Sequence, residues 1–288
     1  MSKIAILTDS ACDIPQDLAD KHHIDILPFY ITVDGQSYVE REDLTFEGYY
    51  DLLTKCQEIP KTSQITPMRF EETFCAYDDA GYTDVLYVSI NSTGSATYNN
   101  ALLAREQFRE ERPDSGMEIH VVDSHSYSMG YGWPLVQAAQ KLKNGADIPS
   151  VLQYLEETFA KREIVLAMYT LKFAKKSGRI SAAAAFAGEL LGLKPLITLI
   201  DGVTKTQSKV RGDLAVMPAL VKFAREHMDE GSEYLVGGTD KENIKVLAKL
   251  CKKEYGYAPA QTFLLGAAVS TNTGPNAVAI VYAGPRRR

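Results

Sequence analysis

The chain has few of the groups that let a protein do chemistry unaided. Its four cysteines, Cys12, Cys56, Cys75 and Cys251, are scattered with neither metal-type nor C-x-x-C spacing. That argues for reduced thiols rather than a disulfide framework. There is no G-x-S-x-G elbow, no H-x-x-x-H pair, no Walker loop and no G-x-G-x-x-G. A nucleophile elbow, a helix-borne metal site or a self-contained nucleotide site is therefore unsupported, and no cofactor is expected. Basic charge is short as well: 31 Lys and Arg against 37 Asp and Glu leave a net charge of −6, which argues against broad nucleic-acid binding. The basic cluster Arg286–Arg288 reads as a solvated tail. The longest apolar stretch, Ile180–Ile200, is broken by Glu189, Lys194 and Pro195, so no integral membrane association is expected. The opening residues run straight into a strand, so no signal peptide is expected. The protein reads as cytoplasmic.

What is present is enough apolar content, 45% over 288 residues, for a large core in one domain or two. One stretch organises the rest. Val85–Val88 reads as a buried strand, a helical pattern runs from about Ser95 through Ala104, and Ser89, Asn91, Ser92, Thr93, Gly94 and Ser95 lie between. Such a loop points free backbone N–H groups and hydroxyls at one spot, where a helix N-terminus adds partial positive charge. An anionic group on a small ligand suits that spot. Helix capping alone accounts for any single loop of this kind, but similar polar strand ends recur at Thr8-Asp9-Ser10 and Asp123-Ser124.

In chain order, Lys3–Leu7 is a strand and Asp13-Ile14-Pro15 starts a helix to about His22. Ile24–Val33 reads as one strand, and Asp34-Gly35 turns it back along Gln36–Val39. Thr45 caps a helix through Cys56, and Pro60–Pro67 reads as a linker whose Thr66 caps the next helix, Met68–Ala80. Thr62 and Ser63 in that linker are candidate ligand contacts. Glu118–Val122 is a strand, followed by helices over Tyr131–Lys143 and from Asp147 to about Lys161. Alternating strands and helices imply a parallel sheet with its ligand crevice beyond the strand ends.

The second half changes style. Ile164–Tyr169 is a strand, Lys175–Arg179 a turn and Ile180–Leu193 an alanine-rich helix apolar nearly all round, hence buried. Leu196–Ile200 and Val203–Val210 make a hairpin. Helices Leu214–His227 and Lys241–Glu254 flank a strand at Tyr234–Gly237, and strands Thr262–Leu265 and Ala277–Tyr282 enclose Thr271–Pro275. The histidines offer no credible triad. Arg179 and Arg211, both in turns, complete the set of polar candidates.

These residues match a family. Thr8-Asp9-Ser10-Ala11-Cys12-Asp13-Ile14-Pro15, Lys61-Thr62-Ser63-Gln64, Ile90–Ala101, Val122-Asp123-Ser124, Ser177-Gly178-Arg179-Ile180, Gly192-Leu193-Lys194-Pro195 and Gly274-Pro275 follow one another as in the DegV fatty-acid-binding proteins. The chain resembles that family from Lys3 to Tyr282. The resemblance implies an α/β fold of two domains, 1–162 built on a parallel sheet and 163–288 mixed, with a long-chain fatty acid between them. It implies a partner too, an ATP-dependent fatty acid kinase subunit to which the carboxylate is presented for acyl phosphate formation.

By motif, head-group contacts would come from Thr62, Ser63 and Ser95, with Ser92, Thr93, Asn272 and Thr273 around them. Arg179 and Arg211 would lie at the portal or the partner-facing side. Two positions depart from the family pattern: Gly94-Ser95-Ala96-Thr97 stands where Leu-Ser-Gly-Thr is common, and Asn272 stands where a histidine is common. Asn272 can neither carry positive charge nor shuttle a proton, which leaves open a carrier of a different lipid. The other alternative is an enzyme acting on a small phosphorylated or carboxylated substrate, with Asp9 or Asp123 as its base near Ser95.

Overall fold

The computed structural model describes residues 3–186 and 192–285. Its first half runs β1 (Ile4–Asp9), α1 (Gln16–His22), β2 (Ile24–Leu27), β3 (Tyr30–Val33), β4 (Gln36–Val39), α2 (Phe46–Lys55), β5 (Lys61–Ser63), α3 (Pro67–Asp79), β6 (Asp84–Ser89), α4 (Thr97–Glu111), β7 (Glu118–Asp123), α5 (Met129–Lys143) and α6 (Ile148–Phe159). Strands in the order β2-β1-β6-β7 form an all-parallel sheet. Its two central strands, β1 and β6, are near-continuous buried runs, the pattern of a sheet covered on both faces.

The expected strand over Ile24–Val33 is two strands. Pro28 has no N–H to donate and breaks the ladder. The chain crosses from the parallel sheet into a small antiparallel one, β4-β3-β5. The third strand of that sheet lies in the segment expected to be a plain linker, where Lys61–Ser63 pair with Tyr30–Thr32. Thr45, Thr66 and Asp147 cap their helices as expected, accepting from the N–H groups of Gly48, Arg69 and Ser150 at 3.0, 3.3 and 2.9 Å. Asp13 does not cap α1; it adopts a left-handed conformation (φ 54°) and turns inward, fully buried.

The second half runs β8 (Arg162–Met168), α7 (Lys172–Ser177), α8 (Ser181–Ala184), β9 (Leu193–Ile200), β10 (Val203–Arg211), α9 (Val216–His227), β11 (Tyr234–Gly238), α10 (Lys241–Tyr255), β12 (Gln261–Leu264), α11 (Ala267–Thr273) and β13 (Ala277–Ala283). Six strands in the order β10-β9-β8-β13-β11-β12 form a mixed sheet, antiparallel except for the β11–β12 pair. The long apolar helix expected over Ile180–Leu193 is four residues of α8 at its start and the first residue of β9 at its end; 187–191 lie outside the described residues. The loop expected before the last strand is largely α11.

Strand alternation gives the mixed sheet two different faces. Val165, Ala167, Leu196, Val236, Val278 and Ile280 pack with α9 and α10 in a separate cluster. Ile164, Leu166, Leu199, Phe263, Ala277, Ala279 and Val281 face the other way, in a core cluster continuous with the parallel sheet. The cavity lies on this second face.

Candidate ligand cavity

A cavity of about 310 Å³ lies between the β6–α4 loop and the mixed sheet, within the roughly 300–1,000 Å³ of small-ligand clefts. Its floor is apolar. Ile164 and Leu166 come from β8, Leu199 from β9, Phe263 from β12, and Ala277, Ala279 and Val281 from β13. Small side chains on β13 leave the trough. Its polar wall brings together Thr62, Ser92, Thr93, Ser95, Asn272, Thr273 and Arg179. Of these, Arg179 carries the charge; it stays exposed, with Nη1 donating to the Ser177 carbonyl at 2.8 Å. Gln64, Asn99, Tyr127 and Thr204 also line the wall and were not singled out from the sequence. Tyr127 follows the Asp123–Ser126 strand end directly, so the same strand-end reasoning extended by one residue reaches it.

Two expected residues lie off the wall. β5 alternates, so Thr62 shares a face with buried Ile31, while Ser63 shares one with exposed Tyr30. Ser63 is exposed. Arg211, at the end of β10, is exposed too.

The β6–α4 loop is built differently from the expectation of free backbone donors. Gly94 and Ser95 N–H both donate to the Asn91 carbonyl, at 3.1 and 3.2 Å. Thr93 N–H donates to Asn91 Oδ1 at 3.4 Å and Ser92 N–H to Asp123 Oδ1 at 3.2 Å. The amides are spent on the loop's own shape. Hydroxyls remain for a ligand. Asn91 Nδ2 donates to Thr93 Oγ1 (2.8 Å) and Tyr127 OH (3.0 Å), leaving each hydroxyl its own hydrogen. Ser95 Oγ bonds Thr97 Oγ1 at 2.8 Å and accepts from Thr97 N–H at 3.3 Å. It satisfies the first helical amide from two positions before the helix start.

Asn272 and Thr273 reach the wall on α11, which is held from the other half of the chain. Asp13 Oδ1 accepts from Gly266 N–H at 2.8 Å and Glu40 Oε1 from Ala268 N–H at 2.9 Å. Ser128 and Ser10 bond the two carboxylates in turn, and Tyr49 and Tyr50 reach Thr271 and the Leu265 carbonyl. Burial pushes the Asp13 carboxyl up to about 8, opposed by the Ser128 hydrogen bond and reinforced by Glu40. Burial also raises Glu40 above the usual carboxylate range. Asn272 Nδ2 is committed to the Ala268 carbonyl at 2.8 Å.

Neither candidate base reaches the cavity wall. Asp9 is fully buried, raised by desolvation, and accepts from Tyr131 OH (2.5 Å), Ile90 N–H (2.9 Å) and Tyr87 OH (3.1 Å). Asp123 holds Ser92 N–H and His125 N–H. Among the described residues no helix is long and apolar enough to cross a membrane.

A parallel sheet and a mixed sheet with a cavity between polar loop and apolar strands define an α/β protein of one recognisable build. The family model described as uncharacterised protein, DegV family, matches residues 3–284. The chain belongs to the DegV family. It is 30% identical over 283 residues to a protein of Thermotoga maritima named fatty acid-binding protein, covering 96% of each chain. Among solved structures, a DegV family protein from Thermus thermophilus, described for its fatty acid binding, is 27% identical with a TM-score of 0.85, covering 98% of this chain and 99% of that one. A stearic acid-binding protein from Eubacterium ventriosum is 26% identical with a TM-score of 0.87, covering 98% of both.

Proposed function

We propose that this chain carries one long-chain fatty acid, enclosed between two α/β units, 1–162 and 163–288, and presents its carboxylate to a separate ATP-dependent kinase subunit in the cytoplasm. The observation that carries the reading is the polarity of one cavity, hydroxyls and a guanidinium on one wall and an apolar trough on the floor. In this reading Thr62 and Ser95 hold the carboxylate, helped by Ser92, Thr93, Asn272 and Thr273, and Arg179 supplies charge at the rim. Arg211 and Ser63, both exposed, belong to the side a partner meets.

The energetics favour this division. A tail of ~14 methylenes at ~0.8 kcal/mol each gives roughly 11 kcal/mol before entropy losses. The head site need only orient. Burial of the tail also keeps a reactive acyl phosphate attached to its carrier. The protein acts without a catalytic group of its own, in keeping with Asp9 and Asp123 being committed to loop hydrogen bonds.

Native mass spectrometry of protein purified from a bacterial host, followed by solvent extraction, tests the reading. One retained C14–C18 fatty acid per chain is expected. An apo mass that persists after incubation with fatty acids sinks it. Adding a fatty acid kinase subunit and ATP, with hydroxylamine to trap acyl phosphate as the hydroxamate, tests presentation separately.

A further inference from the structure

We propose that the Phe263 ring, laid over Gly237, sets the acyl-chain length that the cavity accepts; this rests on the fatty-acid reading above. Gly237 on β11 sits in register between Ala279 of β13 and Phe263 of β12, on the cavity face of the mixed sheet. A Cβ built on Gly237 would stand 2.2 Å from the ring's Cζ and 2.3 Å from Cε2. The ring therefore lies across the neighbouring strand, in the volume that any side chain at 237 would take. It lines the cavity and is only 4% exposed, so no open solvent lies behind it.

The sheet order measures what the ring closes. Leu199 on β9 lines one flank, and the Phe263 ring, reaching from the edge strand β12, stands over Gly237 of β11, three strand-to-strand steps from β9. At about 4.8 Å a step that is roughly 14 Å. An extended acyl chain advances roughly 1.25 Å per carbon, given C–C bonds of about 1.5 Å. A chain laid across the strands therefore covers about 12 carbons between Leu199 and the ring, and the ring is the wall that such a chain meets. The ring is buried, so the space open to it is the cavity it lines. Removing the ring lengthens the trough, and a methyl on Gly237 drives the ring into it.

The test uses delipidated wild type, Phe263→Ala and Gly237→Ala, each incubated with an equimolar mixture of straight-chain saturated acids from C12 to C20. Bound acids are then extracted and quantified by mass spectrometry. Phe263→Ala is expected to shift the bound distribution at least two carbons longer, and Gly237→Ala at least two carbons shorter. Unchanged distributions in both folded variants overturn the assignment while leaving the fatty-acid reading intact. A wild type that binds none of the acids overturns both. Should Phe263→Ala lose its native circular dichroism, Phe263→Leu replaces it, with a shift of at least one carbon expected and none overturning the assignment.

Discussion

Asp13 and Gly266 lie 253 positions apart in the chain and meet across a 2.8 Å hydrogen bond, the glycine amide donating to the carboxylate. The bond fixes the start of α11, and α11 carries Asn272 and Thr273 to the cavity wall. Asp13→Ala leaves a buried amide and the Ser128 hydroxyl without their partner. Each loss costs about 1–3 kcal/mol, so a fall in unfolding free energy of that order is expected in urea denaturation. Asp13→Asn keeps an acceptor for Gly266 and is expected to cost less than Asp13→Ala. Equal losses in the two variants would show that the volume of the side chain matters and its hydrogen bond does not.

The same carboxyl gives stability a pH slope of unusual sign for an acid. Folded, Asp13 titrates at about 8 because it is buried; unfolded, it titrates near 3.9. Between those values the native state holds a proton that the unfolded chain has released. The contribution of this carboxyl to stability is therefore full below about pH 4 and declines as pH rises toward about 8. Buried Glu40 and Asp9, both raised, act in the same direction. Chemical denaturation at several pH values checks this, with Asp13→Asn expected to flatten the slope. A wild-type stability that rises steadily from pH 4 to 8 would contradict it.

At the polar wall, Thr62→Ala and Ser95→Ala each remove one hydroxyl. A lost hydrogen bond of about 1 kcal/mol weakens affinity roughly fivefold. Ser63→Ala, on the solvent face of the same strand, is expected to leave affinity unchanged. Displacement of a fluorescent fatty acid distinguishes them, and an equal effect at Ser63 would reverse the assignment of faces on β5.

Gly94 leaves room for Tyr127. A Cβ there would stand 1.9 Å from the tyrosine oxygen and 2.8 Å from Cζ. Gly94→Ala is expected to displace the hydroxyl from Asn91 and loosen the whole loop, lowering both the melting temperature and fatty-acid affinity. Tyr127→Phe in the same chain removes the closest contact and should recover part of both. Gly94→Ala with wild-type binding would mean that the loop is not held by this pair.

Much of this arrangement is legible locally. The β6–α4 loop announces itself because a run of apolar residues, a run of small hydroxyls and a helical pattern succeed one another. Thr45, Thr66 and Asp147 carry their caps within three residues. Other features have no local signal. β5 is three residues long, too short to show alternation, and exists because Tyr30–Thr32 pair with it. α11 is built of Val269, Ser270, Thr271, Asn272 and Thr273 after two alanines, poor helix formers as a group. It is held at its N-terminus by Asp13 and Glu40 from the far half of the chain. The position of Asp13 just before Ile14-Pro15 suggests a cap for α1, yet it serves a helix more than 250 residues away. The amides expected to face a ligand are consumed by Asn91 and Asp123, acceptors whose reach only the folded loop reveals.

β13 offers alternate residues to two different masters. Ala277, Ala279 and Val281 belong to the cluster that shapes the cavity, while Val278 and Ile280 belong to the cluster packed with α9 and α10, although Val278 also borders the cavity. If the chain carries a fatty acid as proposed, drift at 277, 279 and 281 alters the shape offered to that ligand, and drift at 280 alters how firmly the sheet holds its helices. The ligand shape can then diversify along one strand with little cost to the fold that bears it. A combinatorial library confined to 277, 279 and 281 samples that freedom directly.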